Sequence, residues 1–350
     1  MAYRGTENPP HCPEEHTVRA THVPATGIVN VEQWPEPEAT RDGEFVARVV
    51  AASVCGSDLH SALHGTLHPR GPELAGYPGH EGVGVVVSSR SEKFPVGTPV
   101  LCVPPGELGG TFAEFILLDE DHAVALPPEV DPEDLTTMRR YMMAQQMGTC
   151  LYAMNLYWPR EVPERRAGTC VIMGAGSAGL FFLQDALLRG FEQVIVSDTQ
   201  QHRLDIARGL GARTVLVPDE SLPEVVSELT GNAGADLVIE AVGSDALRAE
   251  AVEIVAHRGI VGWFGLYESF EPAPVPVYEV FRKCVRLQGS VAAQSEPGLV
   301  SFHEAVRRIR DGEVEVDYCL GPVHTLEETG EVLRIAERGG DGNVKFTITP

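Results

Sequence analysis

A glycine-rich turn between a strand pattern and a helix pattern is the feature that most constrains the fold of this chain. The turn, residues 174–179, follows the apolar stretch Thr169–Met173 and opens a helical pattern over residues 180–189. From there apolar runs of strand length alternate with helical patterns, up to a strand pattern at residues 285–291. Strands that alternate with helices of about ten to fifteen residues are typical of a doubly wound parallel sheet. We therefore expect an α/β unit of the Rossmann type in the second half of the chain.

The same turn fits the pattern G-x-G-x-x-G in its required context, after a strand and before a helix. In this pattern Gly174 permits the tight turn, Gly176 lets a pyrophosphate approach the backbone, and Gly179 lets helix and strand pack closely. Ser177 and Ala178 complete the turn, and the helix N-terminus there offers unpaired N–H groups to phosphates. The sequence therefore predicts a dinucleotide site at these residues.

The second strand of the unit ends in an acidic residue that bears on the choice of dinucleotide. Asp198 lies where a carboxylate commonly accepts hydrogen bonds from the adenosine ribose. A carboxylate there would repel a 2′-phosphate, so we expect NAD rather than NADP. Arg203 lies nearby and could soften that preference. Asp198 could instead serve only as a helix N-cap.

The first half of the chain carries short strand patterns that lead into a group of metal-type ligands. Alternating runs at residues 28–32 and 44–50 precede the segment S-V-C-G-S-D-L-H at residues 53–60. A second segment, G-H-E, follows at residues 79–81. Thiol and imidazole groups are ligands that zinc prefers, and a site with few protein ligands leaves room for a substrate oxygen.

These two motifs resemble those of the zinc-dependent medium-chain dehydrogenases, and the resemblance runs over nearly the whole chain. It implies an α/β protein in which a GroES-like twisted β-barrel catalytic domain is joined to the doubly wound Rossmann domain. We expect a flexible N-terminal extension over residues 1–16, a catalytic domain over 17–160, a NAD-binding domain over 161–298 and a return to the catalytic domain over 299–350.

By this resemblance Cys55 and His80 bind one catalytic zinc ion, and Glu81 is a direct or alternating ligand and so also a catalytic residue. Taken singly, Cys55 could be a core residue and His80 could simply bond the backbone. Their occurrence together at the family's spacing favours the metal site. Many family members hold a second, structural zinc in a four-cysteine lobe. The corresponding region here is only residues 104–110, and Cys102, just before it, is the sole thiol nearby. We therefore expect no structural zinc.

The remaining zinc ligand of the family is usually a Cys, Asp or Glu on the helix before the cofactor domain. Aligning the small-residue segment 148–153 places Gln145 at that position. This is a departure, because Gln is a neutral and weaker donor, although its carbonyl oxygen can still coordinate a metal. The register could slip by one residue to Gln146, and Cys150 is a competing ligand.

The resemblance implies that zinc acts as a Lewis acid on a substrate hydroxyl while hydride passes to the nicotinamide. It also implies a path by which the proton of that hydroxyl leaves. In the family a Ser or Thr passes this proton, through the cofactor ribose, to a His, and Ser57 and His60 occupy those positions. Asp58 would order the ligand loop or merely cap a turn. His64 and His68 lie in a loop with Pro and Gly, and we interpret them as solvent or substrate-rim residues.

Charge and cysteine usage limit the partners and the compartment. The formal net charge is −23, from 50 acidic against 27 basic residues, which opposes nucleic acid and anionic membranes. The seven cysteines are scattered and odd in number, and no charged-then-apolar leader opens the sequence. We expect a cytoplasmic protein that binds a small molecule and forms a homodimer or homotetramer, as family members commonly do at the edge of the cofactor-domain sheet.

The sequence thus predicts a zinc-dependent oxidoreductase that converts a secondary hydroxyl of a sugar, cyclitol or aminoglycoside-like polyol to a ketone, with hydride transfer to NAD. Few bulky aromatic residues flank the two motifs, which favours a polyhydroxylated substrate, and the acidity would attract a cationic aminosugar. One alternative is a zinc-free NADPH-dependent enone or quinone reductase of the same superfamily, which generally lacks such ligands. The other alternative is a non-catalytic cofactor-binding protein.

Overall fold

The structure is a computed structural model that describes residues 16–65, 74–105, 109–159, 167–267 and 271–350. Nearly all of the expected N-terminal extension, most of the expected domain junction near residue 160, and His68 lie outside this described part. Within it, no helix is both long enough and apolar enough to cross a membrane.

The described chain forms fifteen strands and nine α-helices. The strands are β1 (Thr17–Ala25), β2 (Ile28–Pro35), β3 (Glu44–Ser53), β4 (Glu81–Ser89), β5 (Pro99–Cys102), β6 (Phe115–Asp119), β7 (Ala123–Ala125), β8 (Thr169–Met173), β9 (Gln193–Asp198), β10 (Arg213–Leu216), β11 (Ala235–Glu240), β12 (Val255–Trp263), β13 (Arg286–Gly289), β14 (Val323–Thr325) and β15 (Thr347–Thr349). The helices are α1 (Gly56–Ala62), α2 (Leu135–Tyr157), α3 (Ser177–Leu188), α4 (Gln201–Gly209), α5 (Leu222–Leu229), α6 (Asp245–Ile254), α7 (Val277–Lys283), α8 (Val300–Arg310) and α9 (Thr329–Glu337).

The first half of the chain builds a seven-stranded mixed sheet with the order β14-β15-β3-β4-β5-β7, in which β6 also pairs with β3. Its central strand β3 is buried at eight of its ten residues, as its apolar sequence EFVARVVAAS requires. Strands β14 and β15 come from the end of the chain, and β15 runs antiparallel to β3 with Ile348 opposite Ala52. The C-terminal segment is therefore part of the sheet that carries the Cys55 motif.

The second half builds a six-stranded sheet with the order β10-β9-β8-β11-β12-β13, in which every strand pair is parallel. The chain order of these strands reverses between β8 and β11. Ligands of doubly wound sheets bind at such a reversal, outside the carboxyl ends of the strands. The parallel Rossmann sheet predicted from the alternating pattern is confirmed, and β8 and β9 have the predicted bounds.

Helix α2 joins the two sheets. Fifteen of its 23 residues are buried, which is typical of a helix that is covered on most sides. One apolar core runs from Ala51, Val83 and Leu101 of the first sheet through α2 to the face of the parallel sheet. A side chain on Gly148 would meet the Phe302 ring at 2.5 Å, so this glycine lets α2 and α8 pack closely. The core therefore fixes the Cys55 motif relative to the glycine-rich turn.

Several element bounds differ from the predicted ones. Strand β6 begins only at Phe115, because Phe112 lies buried in the preceding loop, where its backbone carbonyl accepts from the Thr21 N–H. The helix predicted from residue 180 begins at Ser177, since the glycine-rich turn already forms its first turn. The strand predicted at residues 285–291 is shorter and forms one edge of the parallel sheet.

Candidate active site

The side chains of Cys55, His80 and Glu81 converge, with one ligand atom of each within 4.8 Å of the other two. Cys55 is the N-cap of α1, directly after β3, and Glu81 is the first residue of β4. Strands β3 and β4 are antiparallel partners, and their register sets Ser53 opposite Glu81. Two motifs that are separate in the sequence therefore meet at the ends of adjacent strands.

Asp58 orders both the thiol and the imidazole of this cluster. Its Oδ2 accepts from the Cys55 backbone N–H at 2.8 Å, and its Oδ1 lies 2.9 Å from His80 Nδ1. A carboxylate on Nδ1 leaves Nε2 as the nitrogen that can bind a metal, the usual arrangement around metal-binding histidines. Ser57 Oγ lies 3.3 Å from that Nε2. Asp58 is completely buried, so its position is fixed.

The charges in the cluster shift each other's pKa. Burial alone would lower the pKa of His80, but Asp58 and Cys55 together hold it well above its usual value. Burial also raises the pKa of Asp58, against the opposing effect of His80. The two groups therefore behave as a buried ion pair in the absence of a bound cation.

Glu81 is only 1 % exposed and is held from one side by a lysine. Its Oε2 accepts hydrogen bonds from Lys345 Nζ and Ser53 Oγ, while its buried Oε1 has no partner. Burial alone would raise the pKa of Glu81, but Lys345 and His80 bring it below its ordinary value. Burial would likewise lower the pKa of Lys345, which Glu81 raises. The carboxylate is thus charged and keeps one oxygen available.

Helix α2 brings a glutamine to the thiol, but it is Gln146 and not the predicted Gln145. Gln146 Nε2 lies 3.6 Å from Cys55 Sγ, and its buried Oε1 has no partner. A half-turn of the amide exchanges these two atoms, which are nearly indistinguishable in side-chain amides. Gln145 is also buried, and its backbone carbonyl accepts from Thr149 Oγ1. The glutamine side chain that reaches the thiol is therefore one residue beyond Gln145, the slip in register that the sequence left open.

These residues fit a zinc ion. Thiolate, imidazole and carboxylate are the donor types that zinc takes, and three of them converge here. Two buried oxygens have no hydrogen-bond partner among the described residues: Glu81 Oε1 and Gln146 Oε1. Such unpaired buried polar atoms are rare in proteins. A cation among these side chains would satisfy both oxygens.

The glycine-rich turn has the geometry that a dinucleotide requires. Gly174 has φ +101°, and a Cβ on Gly179 would lie 1.9 Å from the Gly174 carbonyl oxygen. A Cβ on Gly176 would meet no atom within 4 Å, so the space beside this residue is open to a ligand. Gly176 is the N-cap of α3 and Ser177 its first residue, and no side chain caps that end. A pyrophosphate at this turn would satisfy the uncapped N–H groups.

The metal-type cluster and the glycine-rich turn are neighbours. On α2, Gln146 contacts Cys55 Sγ, while Cys150 Sγ lies 3.7 Å from the carbonyl oxygen of Ala178 in the first turn of α3. Four residues advance a helix by about 6 Å. Cys150 is fully buried, and burial raises its pKa well above the usual value, so it packs as an apolar group outside the cluster.

Asp198 and Arg203, which the sequence predicts to lie near the adenosine ribose, both bond backbone groups of the protein. The two oxygens of Asp198 accept from the backbone N–H groups of Ala175, at 2.7 Å, and Gln200, at 2.8 Å. The N-cap of α4 is Gln200 and not Asp198. Arg203 donates to the carbonyl oxygen of Gly339 at 3.2 Å, and its buried Nε has no partner. Asp198 thus ties the second strand to the glycine-rich turn.

The other predicted residues lie on or beside α1. Ser57 and His60 are three positions apart on this helix and are both half-buried. The His60 ring centroid is 5.9 Å from that of His64, whose Nε2 pairs with Glu337 at 3.0 Å. His68 lies outside the described residues.

No motif in the sequence identifies Lys345 and Ser53 as the residues that hold Glu81. A faint signal was present, since a lysine interrupts the otherwise apolar end of the chain, and only three of the 27 basic residues are lysines.

Comparison with known proteins places the chain among dehydrogenases. The model of the alcohol dehydrogenase GroES-like domain matches residues 41–128, and that of the zinc-binding dehydrogenase matches residues 177–309. A probable zinc-binding alcohol dehydrogenase of Mycobacterium tuberculosis is 25 % identical over 95 % of this chain and 89 % of its own. Scyllo-inosose 3-dehydrogenase of Thermotoga maritima is 28 % identical over 87 % of this chain and 86 % of its own. The solved galactitol-1-phosphate dehydrogenase of Escherichia coli has a TM-score of 0.78 at 21 % identity, over 95 % of this chain and 100 % of that one.

Proposed function

The chain belongs to the zinc-dependent medium-chain dehydrogenase family of oxidoreductases, and we propose that it oxidises a secondary hydroxyl of a sugar, cyclitol or aminoglycoside-like polyol to a ketone, with hydride transfer to NAD. The observation that carries this proposal is the convergence of Cys55, His80 and Glu81, one helical turn of α2 away from the glycine-rich turn. A non-catalytic cofactor-binding protein would have no need of such a cluster.

Four side chains would hold the metal: Cys55 through Sγ, His80 through Nε2, Glu81 through Oε1 and Gln146 through its amide oxygen. When bound, zinc supplies Lewis acidity toward the substrate hydroxyl. Asp58 keeps the thiol and the imidazole in place by bonding the Cys55 N–H and the His80 Nδ1. Because Gln146 is neutral, the ligand set carries fewer negative charges than one with a carboxylate in that position.

The hydroxyl proton needs an acceptor beside the reacting oxygen. Ser57 Oγ lies 3.3 Å from His80 Nε2, next to the nitrogen proposed to bind the metal. In this proposal Ser57 takes the substrate proton and His60 is its final acceptor within the protein, and a bound cofactor would supply the ribose hydroxyls between the two residues. The half-buried His60 then releases it to solvent, a role suited to an imidazole, the side-chain type that most often relays protons.

Two features of the chain support NAD as the hydride acceptor. The open space beside Gly176 and the uncapped start of α3 suit a pyrophosphate. At the adenosine end Asp198 would accept a ribose hydroxyl and repel a 2′-phosphate. Its two hydrogen bonds to backbone N–H groups hold this carboxylate in place. The six described cysteines are free thiols, which supports action in a reducing compartment such as the cytoplasm.

The substrate class is supported by the relatives, since a scyllo-inosose dehydrogenase and a galactitol-1-phosphate dehydrogenase both bear the names of polyol-derived substrates. The net charge of −23 adds a preference for a cationic polyol. Comparing turnover of an aminosugar with that of its N-acetylated form tests this preference. Equal, salt-insensitive kcat/KM values for the two would remove the electrostatic part of the proposal.

The central experiment measures NAD and NADP reduction by the purified protein over a panel of polyols, cyclitols and aminosugars, together with zinc content by emission spectroscopy. We expect NAD reduction that depends on about one zinc per chain and is lost in Cys55→Ala. An active metal-free protein that reduces enones with NADPH would instead favour the zinc-free reductase, and the absence of any turnover would favour a binding protein.

A further inference from the structure

Lys345 is a buried cation beside the proposed metal site that no ligand motif accounts for. Its side chain is only 2 % exposed, and it reaches the site from the segment just before β15, 264 residues along the chain from Glu81. Burying an ammonium group is costly unless it is paired and hydrogen-bonded. The burial of Lys345 beside the proposed metal site therefore indicates that it has a specific role there.

Lys345 contacts both parts of the ligand set. Its Nζ donates to Glu81 Oε2 and, at 3.2 Å, to the carbonyl oxygen of Val54, the residue before Cys55. The next residue, Phe346, accepts from the Val54 backbone N–H at 3.2 Å. The C-terminal segment thus braces the chain on which Cys55 lies and binds one oxygen of the carboxylate that lies opposite.

The two oxygens of Glu81 are consequently not equivalent. Lys345 and Ser53 both donate to Oε2, whereas none of the described residues donates a hydrogen bond to the buried Oε1. A carboxylate that is held in this way can offer a cation a single oxygen. A carboxylate released from the lysine could turn both oxygens toward the cation.

The charge balance of the site also supports a role for Lys345 beside the metal. When ionised, Cys55, Asp58 and Glu81 bring three negative charges, of which a divalent cation compensates two. Lys345 supplies the remaining positive charge and makes this buried group neutral. Without the lysine, both oxygens of the Glu81 carboxylate could bind the metal, which would strengthen its binding and weaken its pull on substrate electrons.

Resting on the proposed function, we propose that Lys345 is a positioning residue that divides the Glu81 carboxylate between itself and the metal, limiting Glu81 to one metal bond and keeping the metal electrophilic. The lysine does not touch the substrate in this proposal. It acts through Glu81 alone, at the expense of some metal affinity.

The test is the variant Lys345→Gln, with Lys345→Arg as the conservative substitution. We expect zinc affinity, measured by competition with a chromophoric chelator, to rise about tenfold in Lys345→Gln while kcat falls about tenfold. Lys345→Arg keeps the charge and should stay near the parent in both zinc affinity and kcat.

In the cobalt-substituted protein, Lys345→Gln should show weaker visible d–d absorption, because a second carboxylate oxygen raises the coordination number. Lys283→Gln is the matched control. Lys283 Nζ donates to the backbone carbonyl oxygens of Val252 and Glu253 and forms an ion pair at 3.7 Å with Glu279 on its own helix.

A role confined to folding would give a different result, a loss of zinc affinity in parallel with a lower melting temperature, and that result would overturn the proposal. If Lys345→Gln does not fold, because it leaves the buried Glu81 carboxylate without a compensating cation, the comparison of Glu81→Gln with Glu81→Gln/Lys345→Gln replaces it. Equal zinc affinities of these two variants support action through Glu81, and a difference of more than about threefold contradicts it. A parent protein that binds neither zinc nor cobalt refutes the proposed function itself, whereas a parent that binds both with Lys345→Gln unchanged refutes only this inference.

Discussion

Two adjacent glutamines on α2 show how far single residues follow from the sequence. Gln145 and Gln146 are both buried, and only the second contacts Cys55 Sγ. Successive residues of a helix point about 100° apart, so a shift of one position decides which side chain faces a site. The spacing of a motif on another strand cannot define that rotation. It is set by how the whole of α2 packs between the two sheets.

At this scale we expect Gln146→Ala to weaken zinc binding by about one to two orders of magnitude, because it removes a ligand that neutral neighbours cannot replace. Gln145→Ala is the matched control and should change zinc affinity by less than about threefold. Chelator competition on the two purified variants measures both values. The opposite ranking would restore Gln145 as the ligand.

At the scale of elements, the glycine-rich turn is the part of the site that the sequence described best. Its three glycines have distinct tasks that can be read from the pattern, and the structure gives each a geometric reason. The turn could be predicted because its shape is set mainly by its chain neighbours, β8 and the first turn of α3, although Asp198 also bonds the Ala175 N–H. The N-terminal half of α3 likewise needs no partner from elsewhere in the chain to define where it begins.

Two glycines of this turn provide a matched pair of variants. A methyl group on Gly176 meets no protein atom, so Gly176→Ala should leave the free energy of unfolding within about 0.5 kcal/mol and raise the Kd for NAD about tenfold or more. Gly179→Ala should instead destabilise the fold, since its methyl group would overlap the Gly174 carbonyl oxygen. Calorimetric titration with NAD and thermal unfolding separate the two effects. Unchanged NAD affinity in Gly176→Ala would place the dinucleotide elsewhere.

Helix α8 carries an acidic group whose titration should be visible in the stability. Hydrogen bonds from Arg307 and then Arg308, against an opposing effect of burial, lower the pKa of Glu304 from 4.5 to about 2. A lowered pKa stabilises the fold above pH 4.5, and this contribution is lost as the pH falls toward 2. We expect about 1 kcal/mol at neutral pH, discounted because the side chain is 34 % exposed. In urea titrations Glu304→Gln should therefore be less stable than the parent at pH 7, with a difference that shrinks below pH 4.

At the scale of the whole molecule, one surface of the parallel sheet is left uncovered by the described chain. Strand β13 is the edge of the sheet, and α7 buries none of its residues. Val277, Tyr278 and Phe281 on α7 are 71 %, 73 % and 83 % exposed, and Val291 just beyond β13 is 71 % exposed. An exposed apolar group beside an unpaired strand is typical of a surface that meets another chain.

We therefore expect Phe281→Asp to shift the protein toward the mass of a single chain in sedimentation equilibrium, because it sets a charge in this apolar surface. Val96→Asp changes an equally simple apolar residue, 65 % exposed in the turn between β4 and β5, and should leave the mass unchanged. A parent protein that sediments as a single chain would contradict the predicted homo-oligomer. If the parent is an oligomer and Phe281→Asp has the same mass as the parent, the interface lies on another surface.

The sequence by itself determined the parts that depend on local spacing: the Rossmann unit with its glycine-rich turn, and the ligand types at Cys55, His80 and Glu81. A turn or a strand end is defined by neighbours in the chain, so its pattern is visible before folding. Only the tertiary structure decided that Gln146 faces the thiol and that Lys345 holds Glu81 from 264 residues away. Contacts of that range depend on how α2 and the returning strand β15 pack against β3 and β4, and no local pattern records that packing.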